Sequence, residues 1–295
     1  MIYKKSAGDR LFDTVVFVLS IIVIIVTLYP LIYTFSMTIS DPIQAARGNV
    51  LLLPKGFSLT ALRTVLNDKS IFRYYGNTIW FTVVGTVLGI FVTCLAAYPL
   101  SRREFYYRAH VTRFIMVTMF FSGGMIPTFI VVTRFLHLYN SRWSVVLSSL
   151  TTAWYIMVAR SFFASIPDEI VESARIDGAS EFRTFLQIMM PVSKPILAVL
   201  ALYFAVAHWN SYFSAMLYIS DKNLQPLALY IRSVVLQNSM ANFADTSARI
   251  TAAQILSNLQ IKYAVIVISV LPMMCVYPFI SGNLEKGLMI GSIKG

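Results

Sequence analysis

Charged residues are scarce in this sequence. They make up 13% of its 295 residues, against about 25% in an ordinary soluble domain, whereas apolar residues make up 57%. A folded chain of this length still exposes much of its surface to the surroundings, so it cannot hide that many apolar side chains from water. The composition therefore predicts that lipid is the solvent for much of this surface.

Residues that carry metal or redox chemistry are also few. The two cysteines, Cys94 and Cys275, lie far apart in apolar runs and are interpreted as free, buried thiols. The three histidines, His110, His137 and His208, show no metal-ligand spacing. No GxxxxGKS or GxxxxGKT phosphate loop occurs. We expect no metal and no cofactor on this chain, so that any ATP-driven step belongs to a partner.

Carboxylates are missing from the apolar runs, except at their very ends. Proton- and sodium-coupled carriers place such groups at membrane depth, and membrane enzymes need acidic, metal-ligating or nucleophilic clusters. Both classes are therefore disfavoured, although a stand-alone channel or carrier stays as the alternative to a powered transporter.

The net charge is +11, but the basic residues lie between apolar runs, where they set topology and meet lipid headgroups. No nucleic acid is expected as a partner.

Six apolar runs are long enough to cross a bilayer as helices, which takes about 20 residues. The first is too long for a signal peptide core of about 7–15 residues and is expected to remain as a span. The sequence thus predicts an all-α membrane protein with one transmembrane domain over residues 1–295. The predicted spans are 14–36, 79–100, 114–133, 143–164, 195–219 and 263–282.

Basic residues indicate the orientation of these spans. They cluster in the N-terminal tail and in the short loop 101–113, and both segments are cytoplasmic under the positive-inside rule. Alternation of the spans then places loop 165–194 and the C-terminus on the same side. The residues concerned are Lys4, Lys5, Arg10, Arg102, Arg103, Arg108 and Arg113.

Two spans contain unusual residues. The third span is interrupted by Gly123, Gly124 and Pro127. The interruption is either a kink that serves helix packing or a broken helix beside a pathway. In the fifth span, a polar and aromatic cluster could make interhelical hydrogen bonds, or could line a path for a sugar by hydrogen bonding and stacking. The sequence leaves both alternatives open; the cluster comprises His208, Trp209, Asn210 and Tyr212.

Loop 165–194 has the pattern of two short helices. Pro167 suits a helix start, Gly178 suits the left-handed residue that ends a helix, and Ser180 can begin a second helix. One apolar stripe is predicted on that second helix, comprising Phe182, Phe185, Leu186 and Met189. On these residues alone the loop is either a connecting hairpin at the membrane surface or a docking element for a soluble partner.

The same loop resembles the EAA motif of permeases in binding-protein-dependent ABC importers. Ser173 and Met190 depart from the family pattern, which has Ala and Leu there. The segments IPDEI to SARIDGAS, FFSGGMIPTF and AHWNSYF resemble the carbohydrate branch, in particular oligosaccharide and polysaccharide importers of the alginate type. The positions that match the motif are Glu172, Ala174, Gly178, Ile188 and Pro191.

The resemblance implies a cytoplasmic coupling-helix pair that inserts into a groove on an ATPase. Glu172, with Ser173 and Ala174, would contact the ATPase; Gly178 would make the turn beside Asp177. Ile188 and Pro191 would seat the second helix against the membrane domain. The family further implies a bacterial inner-membrane location, a second permease subunit, two ATPase subunits that bind ATP and Mg²⁺, an extracytoplasmic solute-binding protein and an oligosaccharide substrate.

Overall fold

The computed structural model describes residues 7–243 and 260–275. This part of the chain is helical and contains no named strand. Two π-helical turns, Val131–Phe135 and Phe185–Met189, follow α6 and α10. The helices are α1 (Ala7–Ile39), α2 (Pro42–Ala46), α3 (Thr60–Asn67), α4 (Lys69–Ser101), α5 (Arg108–Phe120), α6 (Met125–Ile130), α7 (Arg142–Ser148), α8 (Ala153–Ala164), α9 (Asp168–Ile176), α10 (Glu181–Thr184), α11 (Met190–Val192), α12 (Lys194–Trp209), α13 (Tyr212–Tyr218), α14 (Leu227–Phe243) and α15 (Gln260–Cys275).

The chain divides into two compact units, residues 1–69 with 233–271 and residues 70–232 with 272–295. The first unit contains α1, whose apolar stretch has no buried residues and is suited to lipid. At the C-terminal end of α1, Met37 packs with Ala45 and Val50. The buried Gln260 amide joins α15 to this end, donating to the carbonyl oxygens of Met37 and Ser40 at 2.9 Å each.

The second unit is organised around α4, against which α8, α12 and the π-helical turn Phe185–Met189 bury their apolar side chains. Two glycines on one face of α4 allow α12 to approach closely. A methyl group at Gly85 would overlap the His208 ring, and one at Gly89 would lie 2.6 Å from the Phe204 ring. Small residues one turn apart are a common way for membrane helices to pack tightly.

Only α1 and α4 are, as single described helices, long and apolar enough to cross a membrane. Three further candidates are bent pairs, with bends of 112° after α5, 56° between α7 and α8, and 84° before α12. Counting each pair as one span gives up to five spans in the described residues. Part of the predicted sixth span, 276–282, lies outside them, as do Lys4, Lys5 and the C-terminus. The count of six therefore stays a prediction.

The predicted span 143–164 is not one helix. It breaks between α7 and α8, because its serine and threonine side chains offer the backbone other partners. The Ser149 hydroxyl donates to the carbonyl oxygen of Val145 at 2.8 Å. The Thr152 hydroxyl caps α8 by accepting from the Tyr155 amide at 3.3 Å.

The predicted span 195–219 is also divided, at Asn210 and Ser211 between α12 and α13. Here too, local bonds compete with the helical pattern. The Ser211 hydroxyl donates to the carbonyl oxygen of His208 at 2.6 Å, and the Tyr212 amide donates to that of Asn210 at 2.8 Å. The break lies inside the polar and aromatic cluster that the sequence singled out.

Candidate functional site

Loop 165–194 has the helix, turn and helix geometry that its sequence predicts. Helix α9 ends at Ile176, and Gly178 adopts the left-handed conformation with φ of 75°. The amides of Gly178 and Ala179 donate back to the carbonyl oxygens of Arg175 and Ala174, which satisfies the end of the helix. The Ser180 hydroxyl then caps α10. That this hairpin couples to an ATPase stays a prediction at this point.

The motif residues divide between two faces of α9. Ala174 is buried, whereas Glu172, Ser173, Asp177 and Gly178 are exposed. Beside them Ile176 is 82% exposed, although it is a large apolar residue in a short polar helix. The sequence analysis did not single out Ile176. The signal that could have identified it is an isoleucine between Arg175 and Asp177, with no apolar residue on the same face of α9.

The predicted apolar stripe of the second helix is wrong in part. Phe185 and Met189 are buried, but Phe182 and Leu186 are exposed. The reason is the π-helical turn, in which the Met190 amide donates to the Phe185 carbonyl, so that the 3.6-residue period no longer applies. Of the two residues expected to seat this helix, Ile188 is half-buried and Pro191 is exposed.

The C-terminal end of α4 holds both halves of the hairpin. Arg102 is only 5% exposed and donates to the Asp168 carboxylate at 3.2 Å and to the carbonyl oxygen of Phe163 at 3.4 Å. One turn earlier, the Tyr98 hydroxyl donates to the Glu181 carboxylate at 3.2 Å. We call Tyr98 and Arg102 the α4 clamp. Sequence reasoning counted Arg102 only as a topology charge, because nothing local distinguishes it from Arg103.

Arg175 joins the two helices of the hairpin to each other. Its guanidinium donates to Glu181 at 2.8 and 3.0 Å and to Glu104 at 3.0 Å. The backbone amide of Glu104 and then Arg175 hold the pKa of the Glu104 carboxyl below its usual range. A cleft of ≈ 390 Å³ beside these residues is lined by Arg102, Glu104 and Arg175 and also by Glu172. The motif glutamate therefore lies next to the clamp.

The N-terminal end of α4 holds a different segment, 223–227, through the neutral groups of Asn77 and Thr78 and through Arg73, whose guanidinium donates to the Asn223 side-chain oxygen. The Asn77 amide nitrogen donates to the carbonyl oxygens of Asn223 at 2.7 Å and Gln225 at 2.9 Å. Its amide oxygen accepts from Arg142 at 2.9 Å. The neighbouring Thr78 hydroxyl accepts from the Leu227 amide at 2.8 Å. One helix thus contacts the hairpin at one end and the segment before α14 at the other.

The four predicted pathway residues do not share one surface. His208 is 1% exposed and lies against Gly85. Trp209 is half-buried, with its ring 6.3 Å from that of Tyr75, whereas Asn210 and Tyr212 are exposed at the helix break. Arg232, which sequence reasoning did not single out, lies over the Tyr212 ring at 5.9 Å.

The third predicted span breaks at its glycines. Helix α5 ends at Phe120, and Gly124 adopts φ of 86° immediately before α6 begins at Met125. Pro127 lies in the first turn of α6, where backbone N–H groups have no helical partner and its missing donor costs little. The 112° bend therefore follows from the glycines rather than from the proline.

Residues 7–243 and 260–275 contain no cluster of three potential metal ligands among His, Cys, Asp and Glu. The expectation of two buried thiols is half correct. Cys94 is buried between helices, whereas Cys275 is exposed. Cys275 lies at the end of α15, where no described residue covers it.

The comparison with protein families decides the class of the molecule. Residues 85–290 match the family described as the inner membrane component of binding-protein-dependent transport systems. The chain belongs to this family. It is therefore an all-α integral membrane permease and a subunit of an ABC importer, not the ATP-hydrolysing chain. The resemblance drawn from the EAA loop is confirmed.

Individual relatives cover nearly the whole permease. It is 37% identical to Protein LplC of Bacillus subtilis over 92% of this chain and 90% of that protein. It is 33% identical to the polygalacturonan/rhamnogalacturonan transport system permease protein YtcP of the same organism, over 97% and 99%. Among solved structures, a bacterial ABC transporter for import of the acidic polysaccharide alginate matches at 32% identity and a TM-score of 0.85, over 95% of this chain and 99% of that one.

Proposed function

We propose that this permease forms half of the membrane path of an ATP-driven oligosaccharide importer. A second, similar permease subunit completes the path, an extracytoplasmic solute-binding protein delivers the sugar, and two ATPase subunits bind ATP and Mg²⁺. In this proposal residues 1–295 form one domain of six spans in a bacterial inner membrane, with both termini cytoplasmic. The relatives support it, since the family consists of binding-protein-dependent permeases, and YtcP and the solved alginate importer are named for the transport of polysaccharides.

Coupling to the ATPase is assigned to the outward face of α9. The observation that carries this assignment is the exposed Ile176 beside Glu172, on a hairpin whose other face is held by the α4 clamp. Burying an isoleucine side chain is worth about 1.5–3 kcal/mol, so an exposed one outside the membrane spans suits a groove on a partner. Glu172 and Asp177 flank it with charge, which favours a defined orientation in that groove.

The test is ATP hydrolysis by the reconstituted complex, with and without loaded binding protein. Ile176→Ser should lower stimulated hydrolysis and weaken assembly with the ATPase, without lowering the thermal stability of the permease. Gly178→Ala should also lower stimulated hydrolysis and assembly, with a modest loss of thermal stability, because a left-handed alanine strains the turn at a cost of about 1–2 kcal/mol. Gly48→Ala is the matched control, since Gly48 has φ of 71° and open space around it but lies outside the hairpin. Full stimulation in both hairpin variants would refute the coupling assignment.

The substrate is proposed to be an acidic oligosaccharide. YtcP is named for polygalacturonan and rhamnogalacturonan, and the solved relative imports alginate. In this chain an exposed tyrosine and an arginine lie together at the helix break, with the Arg232 guanidinium over the Tyr212 ring. An aromatic face can stack on a sugar ring, and a guanidinium suits a carboxylate. Trp209 and Asn210 stand in the same break.

Substrate class is tested by the sugar that stimulates ATP hydrolysis. Binding protein loaded with oligogalacturonate or oligoalginate should stimulate the complex, and the neutral oligosaccharide of equal length should not. Arg232→Gln should reduce transport of the acidic sugar with ATPase assembly unchanged, whereas Lys222→Gln, on the nearby 222–224 turn, should not. Stimulation by neutral sugars alone would refute the acidic assignment while leaving the importer intact.

A further inference from the structure

An exposed apolar loop follows α2 in the first unit. Its sequence is LLLPKGF, residues 51–57, and we call it the apolar loop. Leu51, Leu53 and Phe57 are 68%, 76% and 74% exposed, although none lies in a predicted span. Scattered apolar residues on a surface need no explanation, but a contiguous patch of large ones marks an interaction surface.

The backbone of the apolar loop is fixed to the end of α1. The Ser36 hydroxyl donates to the Leu52 carbonyl oxygen at 2.6 Å. The Lys55 amide donates to the Ser40 hydroxyl at 3.1 Å, and the Asp41 amide donates to the Lys55 carbonyl oxygen at 3.0 Å. These bonds hold the exposed leucines and the phenylalanine at the level of the last turn of α1.

That level corresponds to a membrane interface. The apolar run of α1 covers residues 14–36, and a helix rises about 1.5 Å per residue, so such a run spans a hydrocarbon core of about 30 Å. The apolar loop bonds to residues 36–41, immediately beyond that run. Its exposed side chains therefore lie where acyl chains meet headgroups.

Basic side chains predominate around the apolar loop, although the Asp41 side chain lies beside Gly56. Residues 42–67 contain Arg47, Lys55 and Arg63 but no aspartate or glutamate. Apolar side chains combined with basic ones are the composition of segments that lie in an interface and attract anionic lipid. Because a fixed backbone loses little further freedom on insertion, the loop can act as an anchor rather than a flexible tail.

We propose that the apolar loop inserts Leu51, Leu53 and Phe57 into the bilayer interface at the C-terminal end of α1, with Lys55 at the level of anionic headgroups. This anchor sets the depth of α1 and of the α2–α3 segment. The proposal does not depend on the transported substrate or on the coupling assignment.

The experiment places an environment-sensitive fluorophore at a single cysteine in the assembled transporter in lipid discs. The background carries Cys275→Ser, since Cys94 is buried. Labels at Leu53→Cys and Phe57→Cys are compared with one at Asn67→Cys, an exposed polar site at the end of α3. Discs contain phosphatidylcholine with a nitroxide in the headgroup or near the top of the acyl chain, with or without phosphatidylglycerol.

Both loop labels should show blue-shifted emission and lose most of it to the nitroxide lipids, while the Asn67 label loses little. Phosphatidylglycerol should increase the loss at Phe57→Cys, and adding Lys55→Gln should remove that increase. Equal quenching of loop and control labels would overturn the proposal. Loop labels shielded from both nitroxide lipid and a water-soluble quencher would also overturn it, because they would show that a protein subunit covers this surface.

Discussion

The two ends of α4 are held by different chemistry. At the N-terminal end, Asn77 is 2% exposed and bonds two backbone carbonyls through a neutral amide. At the C-terminal end, Arg102 is as well buried, but its carboxylate partner Asp168 has a side chain that is 70% exposed. The Arg175 bridges beside it are 40% exposed on the arginine and 60% on the carboxylates.

The difference between the two attachments indicates which end of α4 can release its partner segment more easily. A buried neutral hydrogen bond is costly to leave unmade, because the abandoned groups lose their solvation. An exposed ion pair is worth about 0–1 kcal/mol and is screened by salt. We therefore expect the N-terminal end to be a fixed attachment. The C-terminal end holds a hairpin that, in the proposed function, must follow the movement of the ATPase.

The largest effect on stability is expected at the fixed end. Asn77→Ala leaves the carbonyl oxygens of Asn223 and Gln225 and the Arg142 guanidinium without this partner; because these groups are partly buried, we expect a cost of about 1–3 kcal/mol in total. The melting temperature of the purified permease should fall clearly. Asn210→Ala is the control, because Asn210 is exposed and its side chain bonds only to Val206 in its own helix. Equal melting temperatures for Asn77→Ala and Asn210→Ala would contradict the view that the N-terminal end of α4 is a fixed attachment.

The next effect is expected in the middle of α4, where the helix meets α12. Gly85→Ala places a methyl group in the His208 ring and should cost about 1–3 kcal/mol by overpacking. Gly76→Ala meets nothing within 4 Å and should be neutral or stabilising by up to about 1 kcal/mol. Thermal unfolding of both measures this difference. Adding His208→Ala should restore part of the stability lost in Gly85→Ala, and no restoration would contradict this account of the contact.

A smaller effect on stability, but a large one on coupling, is expected from the clamp. Arg102→Gln should lower substrate-stimulated ATP hydrolysis, because Asp168 is then free to leave the end of α4. The permease itself should unfold at a moderately lower temperature, because Asp168 is mostly exposed and can be solvated, whereas the Phe163 carbonyl oxygen loses a buried donor. Arg103→Gln, the exposed neighbour, is the control for loss of charge. A clamp variant with normal hydrolysis per transported sugar would show that α4 does not transmit movement of the hairpin.

The smallest effect on stability is expected from the Arg175 ion pairs with Glu104 and Glu181. It should be visible only when salt or acid weakens these ion pairs. The pKa of Glu104 is lowered from 4.5 in the folded protein. Its bridge therefore contributes fully above 4.5 and is lost as the pH falls through the lower folded value. The protection of the α9–α10 turn against hydrogen exchange, taken relative to the intrinsic rate at each pH, should fall in acid or high salt, and Arg175→Gln should weaken that dependence. The same dependence in the variant would rule the bridge out as its source.

Local sequence signals predicted the hairpin well. Gly178 is the residue that can adopt a left-handed turn cheaply, and Ser180 is a preferred helix cap, so both positions could be assigned without tertiary contacts. The burial of the apolar stripe on the following helix could not be predicted in this way. A π-helical turn changes the period at Phe185, and no residue type marks that change.

The sequence pointed to an interruption only in the third span, where glycine causes it, and it left a packing kink and a broken helix both open. Gly124 has a positive φ that residues other than glycine adopt only at a cost, and the third span breaks there. The breaks at Ser149–Thr152 and Asn210–Ser211 depend on serine, threonine and asparagine, which occur in unbroken membrane helices as well. Whether such residues interrupt a helix depends on their other partners, such as the Thr93 hydroxyl 2.7 Å from that of Thr151.

The sequence by itself determined the class of this protein. Long apolar runs without carboxylates need lipid as the solvent of their exposed surface. The EAA spacing is a pattern of residues close together in the chain, so it can be recognised without tertiary contacts. Only the tertiary structure decided that Arg102 and Tyr98 bind the hairpin, and that His208 packs against Gly85 of α4. Those pairs are separated by many residues along the chain. Their proximity depends on how helices pack, which no local preference encodes.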